Sequence, residues 1–231
     1  MRQGRPWRRL DLWMKTVLEG YREAVSLRFE AELRPTAADR VLTIGMHPSA
    51  LPSVNFFEHR YPWKRRLTAL CIDDMAPVAA SFPEVRFVYY DGGRFPFRDG
   101  CFDIGVASAV LEHVGEFERQ VAFLREVSRT CRSFFLTTPN RWFPLEVHSY
   151  VPFIHYLPDR AFKRVLGRLG FTDRDYQEMH LLSAPEVEAA LARVGCPEAR
   201  IFRQRVAGLT GNLLVVRRAP ERGPGGVGAT G

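Results

Sequence analysis

Five short apolar runs, spaced through the first 140 residues, constrain this chain more than any other feature. They are Arg40–Gly45 (RVLTIG), Leu67–Ile72, Val85–Tyr90, Phe102–Ala107 and Ser133–Thr138 (SFFLTT). Each is six residues long and rich in Val, Ile, Leu and Phe, and turn-forming residues bound them. A buried strand looks like this, whereas a core helix needs ten or more residues. Helical patterns fall between and around the runs. Residues 10–33 carry Leu10, Trp13, Val17, Tyr21, Ala24 and Leu27 at helical spacing, and Pro35 ends them. Glu116–Cys131 places Phe117, Val121, Leu124 and Cys131 on one face. Strands alternating with helices predict an α/β fold, a Rossmann-like, doubly wound, mainly parallel sheet with helices on both faces.

Further elements complete the prediction. Ser53 or Asn55 opens a helix carrying Phe56 and Phe57, which Pro62 ends. Asp73 or Asp74 caps another helix through Ala80. After the fifth run comes a long loop, Pro139–Pro158, rich in proline and aromatic residues. Loops of that length in a compact domain are usually functional. Helices follow at Asp159–Leu169, stopped by Gly170, and after Ser183, ended by Gly195. The last two strands, Ala199–Val206 and Asn212–Arg217, read as an antiparallel C-terminal hairpin. The expected organisation is an N-terminal helical segment (1–36), one α/β domain (37–218, with a substrate-side loop at 139–158) and a Gly-rich disordered tail (219–231).

The chain is long enough for one full core: 231 residues, 46% hydrophobic and 26% charged. No run approaches a membrane span. The N-terminus lacks the apolar centre and cleavage site of a secretory signal. The formal net charge is +7. No basic run exceeds Lys64-Arg65-Arg66, so arginines scattered over solvated helices explain the charge better than a specific nucleic-acid surface does. Arg5–Lys15, where basic and aromatic residues interleave, is compatible with weak contact to a membrane surface. Cys71, Cys101, Cys131 and Cys196 are far apart with no C-x-x-C pair. Zinc spacing is therefore absent, no metal is expected, and reduced thiols in a cytoplasmic protein are the simplest reading.

The stretch Asp91–Val114, DGGRFPFRDGCFDIGVASAVLEHV, carries the functional signal. Asp91, followed by two glycines, ends the third apolar run, and the fourth run follows after a short excursion. This reads as two neighbouring parallel strands with a carboxylate at the carboxyl end of the first, where α/β sheets bind ligands. As a turn residue, Asp91 would simply close Asp-Gly-Gly.

The pattern D-G-x-x-x-P-F-x-D-G-x-F-D, the phrase LEHV and the order of elements resemble the class I S-adenosylmethionine (SAM)-dependent methyltransferases. The nearest branch is the small-molecule methyltransferase type 11, the ubiquinone/menaquinone-biosynthesis-like group. The resemblance covers roughly Arg40–Thr138, and Thr137–Pro158 is similar to the loop after strand five in a bacterial subgroup. It implies SAM as cofactor and methyl transfer to a small or lipid-linked acceptor by in-line displacement.

By that resemblance the first strand should lead into acid-x-G-x-G-x-G. This chain has Thr43-Ile44-Gly45-Met46-His47-Pro48-Ser49, a degenerate version in which only Gly45 matches. The resemblance implies cofactor contacts at Gly45, Met46, Asp91 (to the adenine amino group), Gly92 and Ser108. Cys71 aligns with the acid that usually holds the ribose, and Asp73 or Asp74 just beyond could serve instead, or cap a helix. The candidate catalytic residues are His148 in the long loop and His113 in LEHV, the latter equally readable as a packed helix-start residue. Asn140, Arg141 and Glu146 are candidate substrate contacts, with turn hydrogen bonding as the plain alternative for Asn140 and Arg141. The altered glycine loop motivates a second reading, a catalytically silent methyltransferase-like scaffold. Net charge alone motivates a third, a polyanion binder.

Overall fold

The computed structural model describes residues 5–49, 54–145, 151–170, 179–206 and 208–220, with side chains from residue 19 onward and excepting Asp159. Seven strands form one sheet: β1 (Val41–Ile44), β2 (Leu67–Cys71), β3 (Arg86–Tyr89), β4 (Phe102–Ser108), β5 (Cys131–Pro139), β6 (Arg200–Val206) and β7 (Leu209–Arg217). Their order across the sheet is β3-β2-β1-β4-β5-β7-β6. The first five are parallel, and β7 runs antiparallel between β5 and β6. This is the doubly wound sheet with a closing hairpin that the alternating pattern predicts.

One expectation needs correction. The strands flanking the Asp91 excursion are β3 and β4, and they are not neighbours: β2 and β1 lie between them. A parallel connection needs a crossover. From β1 the chain first steps outward to β2 and β3, then returns to the other side of β1 to lay down β4 and β5. The reversal puts a switch point between the carboxyl ends of β1 and β4, where this fold class takes its ligands.

Alternation along each strand splits the core into two layers. Leu42, Ile44, Phe134 and Leu136 face α4 (Phe117–Thr130) and α6 (Ala184–Arg193), which contribute Val121, Leu124, Val127, Val187 and Leu191. Val41, Ala69, Val106 and Phe135 face the other layer. That layer is built by α1 (Arg5–Leu33), α2 (Phe56–Arg60) and α3 (Ala76–Ala79). Phe29 of α1 packs edge-on against Phe57 at 5.1 Å and Phe135 at 5.6 Å, so the helix is locked across the sheet.

Local chemistry sets the ends of the elements. Ser183 and Glu186 form a reciprocal capping box at the start of α6. Gly170 (φ +87°) and Gly195 (φ +75°) follow the two C-terminal helices in the left-handed conformation. The helix expected from Asp73 or Asp74 to Ala80 is a single turn starting at Ala76. Asp74 Oδ1 accepts from the Ala76 N–H at 2.9 Å, while Met75 holds the N-cap position. The long loop is not structureless: a bridge joins Asn140 to Leu182, and a 3₁₀ turn spans Ile154–Tyr156 before α5 (Asp159–Arg168). The Gly-rich tail from residue 221, expected to be disordered, lies outside the described residues.

Candidate functional site

The excursion after β3 is held by one arginine. Arg129 of α4 donates Nη1 to Asp99 Oδ1 at 2.7 Å and to the Phe97 carbonyl at 2.8 Å. It donates Nη2 to Glu126 Oε2 at 2.6 Å and Nε to Glu126 Oε1 at 3.0 Å. Glu126 in turn accepts from the Phe95 N–H at 2.9 Å, and its hydrogen bonds from Arg129 hold its carboxyl below the usual carboxylate range. Phe95 is fully buried against Tyr90 and Phe123. The P-F-x-D-G part of the motif is therefore a clasp to α4, and its consequence is to fix where Asp91 stands. Asp103 likewise serves geometry, accepting from the Arg40 N–H at 3.0 Å beside β1.

Asp91 is exposed at the carboxyl end of β3, one oxygen accepting from the Gly93 N–H at 2.9 Å. Gly92 beside it is exposed with φ +84°. Asp73 and Asp74 are exposed past the end of β2. Cys71 at the end of β2 is buried, and burial pushes its thiol up to about 12.

At the end of β1 the chain departs from the glycine-rich pattern in a defined way. Thr43 is buried on the α1–α2–α3 face, and its hydroxyl donates to Glu58 of α2, itself almost fully buried. Desolvation raises the Glu58 pKa above its ordinary value, with the Thr43 hydrogen bond opposing it. Sequence reasoning passed over Glu58; the available signal was an acid directly after two core phenylalanines. Asn55, 3% exposed, pins the loop: its Oδ1 accepts from the His47 N–H at 2.9 Å, and its Nδ2 donates to the carbonyls of His47 at 2.9 Å and Ser49 at 2.7 Å. Amide clamping here stands where glycines would give a free, flexible cradle.

Thr43, Gly45, Met46, Asn55, Glu58 and Ser108 line a crevice of about 20 Å³ at the switch point. Met46 is buried in its wall. Gly45 has φ +75°, and a Cβ there would lie 2.5 Å from Val110 Cγ2. Val110 thus fills the space above the glycine, held there by the turn at Ala109 (φ +55°), whose N–H donates to the Thr137 carbonyl at 3.0 Å. Ser108 Oγ lies 3.2 Å from Thr137 Oγ1. Tyr21 of α1 reaches the same edge and engages Thr137, and burial pushes its hydroxyl up to about 12.

A second, larger space opens beyond β4. Glu112, fully buried, accepts from Thr138 Oγ1 at 3.0 Å. His113 follows it, half-buried, its N–H donating to the Val110 carbonyl at 2.9 Å. Buried Gln120 donates to the carbonyls of Leu111 at 3.1 Å and His180 at 2.7 Å, and so ties the β4 edge to the segment before α6. Outside this tie lies a cleft of about 1500 Å³ lined by Gly115, Arg119, Arg141, Trp142, His155, Tyr156, His180 and Glu186 among others. Arg141 donates to Glu186 Oε1 at 2.7 Å and to the Leu181 carbonyl at 2.9 Å, half-buried in the wall. Asn140 is turned the other way, donating to the Thr210 carbonyl at 2.9 Å and anchoring the loop to β7. Glu146 and His148 lie outside the described residues. Among the described residues there is no cluster of metal-ligating side chains, and no helix is long and apolar enough to cross a membrane.

Comparison with known proteins fits this geometry. The family model of the methyltransferase domain matches residues 57–133, beginning past β1 and its altered loop. A SAM-dependent methyltransferase from Mesorhizobium loti superposes with a TM-score of 0.57 at 16% identity, covering 86% of this chain and 98% of that one. A chain of the complex between the Haloferax volcanii Trm112 methyltransferase activator and a putative methyltransferase gives 0.56 at 15% identity, covering 92% and 96%. The N-terminal domain of EvdMO1, a structure with SAH bound, gives 0.51 at 18% identity, covering 86% and 81%. No curated protein matches the chain.

Proposed function

We propose that this chain, whose residues 57–133 match the methyltransferase domain and whose fold is that of solved SAM-dependent methyltransferases, holds SAM across the carboxyl ends of β3, β2, β1 and β4 and methylates an acceptor bound in the cleft beyond β4. The observation that carries this reading is the row of carboxylates along adjacent strand ends: Asp91 after β3, Asp73 and Asp74 after β2, and Glu58 beneath the end of β1. A row of carboxyl groups suits a cationic ligand that also presents hydroxyls and an amino group. The acceptor chemistry therefore fits. The room at the β1 end is a crevice of about 20 Å³, and Val110 takes up the space beside Gly45.

SAM when bound supplies a methyl group on a positively charged sulfur. The protein's own part is placement. In this reading Asp91 accepts from the adenine amino group beside the open backbone of Gly92. Asp73 or Asp74 takes the ribose hydroxyls. Gly45, Met46, Ser108 and Glu58 surround the amino-acid end. Glu112 and Thr138 pair at the β4–β5 edge, and Gln120 ties that edge to the segment before α6. Arg141, braced by Glu186, presents positive charge to an acceptor that carries a negative group. An acceptor hydroxyl or amine must also lose a proton, for which His113 and His148 are the candidates.

Isothermal titration with SAM and with its demethylated product tests the reading, followed by transfer of labelled methyl to cell-extract fractions. The expected result is saturable binding of both and labelling of one small or lipid-linked fraction. Absence of binding at millimolar concentration overturns it. The position of Val110 over Gly45 favours one rival, a silent scaffold of the same fold. That rival predicts binding of neither compound, or binding without transfer.

A further inference from the structure

Trp142, Phe153, Tyr156 and Leu157 are 65, 60, 42 and 42% exposed. They come from two separate stretches of chain, yet they gather into one patch. The ring centroids of Trp142 and Tyr156 lie 6.0 Å apart, and those of Phe153 and Tyr156 also 6.0 Å. Phe153 pays twice for its place: it is exposed, and its φ of +61° is a left-handed backbone that a residue with a Cβ rarely adopts. The small core beneath, Ile154, Phe162 and Leu166, includes none of these four side chains. The Phe153 backbone is held by its N–H donating to the Pro144 carbonyl at 2.7 Å, while its ring stays 60% exposed.

The patch runs directly into α5 through Leu157 and Pro158. Arg160, Arg164 and Arg168 of that helix are exposed at i, i+4 and i+8, on a single stripe. Like charges at this spacing repel each other unless an anionic surface faces them. Lys163 lines the same cleft as Trp142, Tyr156 and Leu157, so basic and aromatic side chains share the cleft mouth. Leu169, 54% exposed, ends the helix. Rings with arginines alone would also suit single-stranded nucleic acid. The exposed aliphatic Leu157 and Leu169 do not stack on bases, and they suit an acyl boundary.

We infer that this face docks on an anionic lipid bilayer, the three rings and Leu157 entering the headgroup–acyl boundary while Arg160, Arg164 and Arg168 face lipid phosphates. Docking there brings the mouth of the 1500 Å³ cleft to the membrane surface. The proposal stands whether or not the protein transfers a methyl group.

The test is co-sedimentation of the full chain with phosphatidylcholine vesicles, with and without phosphatidylserine. The expected result is pelleting only with phosphatidylserine, weakened by salt. Two double variants, Trp142→Ser with Phe153→Ser and Arg160→Glu with Arg164→Glu, should each lower partitioning about tenfold at an unchanged melting temperature, since all four positions are exposed. Failure of the unaltered protein to pellet overturns the proposal. Pelleting of both double variants like the parent does so too, because attraction then comes from elsewhere, such as Arg5–Lys15. Binding of single-stranded RNA in preference to vesicles, lost in the same variants, reassigns the face.

Discussion

The Thr43 hydroxyl donates to the Glu58 carboxylate beneath the end of β1, two buried polar groups from different elements paired in an otherwise apolar layer. Where the pattern of the resembling family has an acid on the strand, this chain has Thr43, and the acid that Thr43 bonds comes from the following helix. Burial raises the Glu58 pKa. A cationic ligand beside it favours the ionised form, so binding should draw a proton off Glu58.

That gives a signed pH prediction. Below the raised pKa the carboxyl is protonated and attracts a cation weakly. SAM affinity should therefore increase as pH rises through it, with proton release detectable in buffers of different ionisation enthalpy. Stability of the unliganded protein should move oppositely. The folded state holds the Glu58 proton more tightly than the unfolded state, so stability falls over the interval from the ordinary carboxylate value up to the raised one. Glu58→Gln should remove both dependences and cost roughly 1–3 kcal/mol of SAM binding. An unchanged dissociation constant and proton release in that variant would show that Glu58 serves packing alone.

Val110 and Gly45 make a second pair. Gly45→Ala places a Cβ 2.5 Å from Val110 Cγ2 at a positive φ, and should destabilise the fold by about 1–3 kcal/mol through strain and overpacking. Val110→Ala vacates the space over the glycine. It should tighten SAM binding even as it lowers the melting temperature. Calorimetry on the two variants separates these effects, and a weaker complex in Val110→Ala would mean the valine contacts the ligand rather than excluding it.

Asp91→Ala should weaken SAM binding by about 1–3 kcal/mol, the range for removing one partner of a buried hydrogen bond. Its melting temperature should change little, because among the described residues the one hydrogen bond lost is that to the nearby Gly93 N–H. A dissociation constant equal to that of the parent would place the carboxylate in solvent for the bound state as well.

Arg129→Met should be the most destabilising of these changes, by roughly 2–4 kcal/mol, since Glu126 and the carbonyls of Phe95 and Phe97 lose their donor together. The depressed pKa of Glu126 has the opposite linkage sign to that of Glu58. Its stabilisation is full above the ordinary carboxylate pKa and is lost as pH falls through the lowered value. Acid melting curves should show this loss in the parent and not in the variant.

Much of the architecture is legible along the chain, because its causes are local. The apolar runs mark β1 to β5 within a residue or two, Ser183 with Glu186 marks the start of α6, and Gly170 and Gly195 mark helix ends. These signals rest on backbone periodicity and on the side chain nearest a helix terminus. Of the candidate site, the placement of Asp91 just past the end of the third strand is legible, because it depends only on where the apolar run stops. Asn140 shows the limit: its residue type suits a substrate contact as well as an anchor, and only its place opposite Thr210 assigns it to β7.

The sequence by itself determined that short buried strands alternate with amphipathic helices, and that a carboxylate ends the third strand. Tertiary structure alone decided that β1 and β2 separate β3 from β4, that Glu58 meets Thr43, that Val110 covers Gly45, and that Arg129 clasps the Asp91 excursion. Those contacts join residues from different elements. They depend on strand order and on the angle at which helices cross the sheet, and a pattern of local propensities does not encode either in any single stretch.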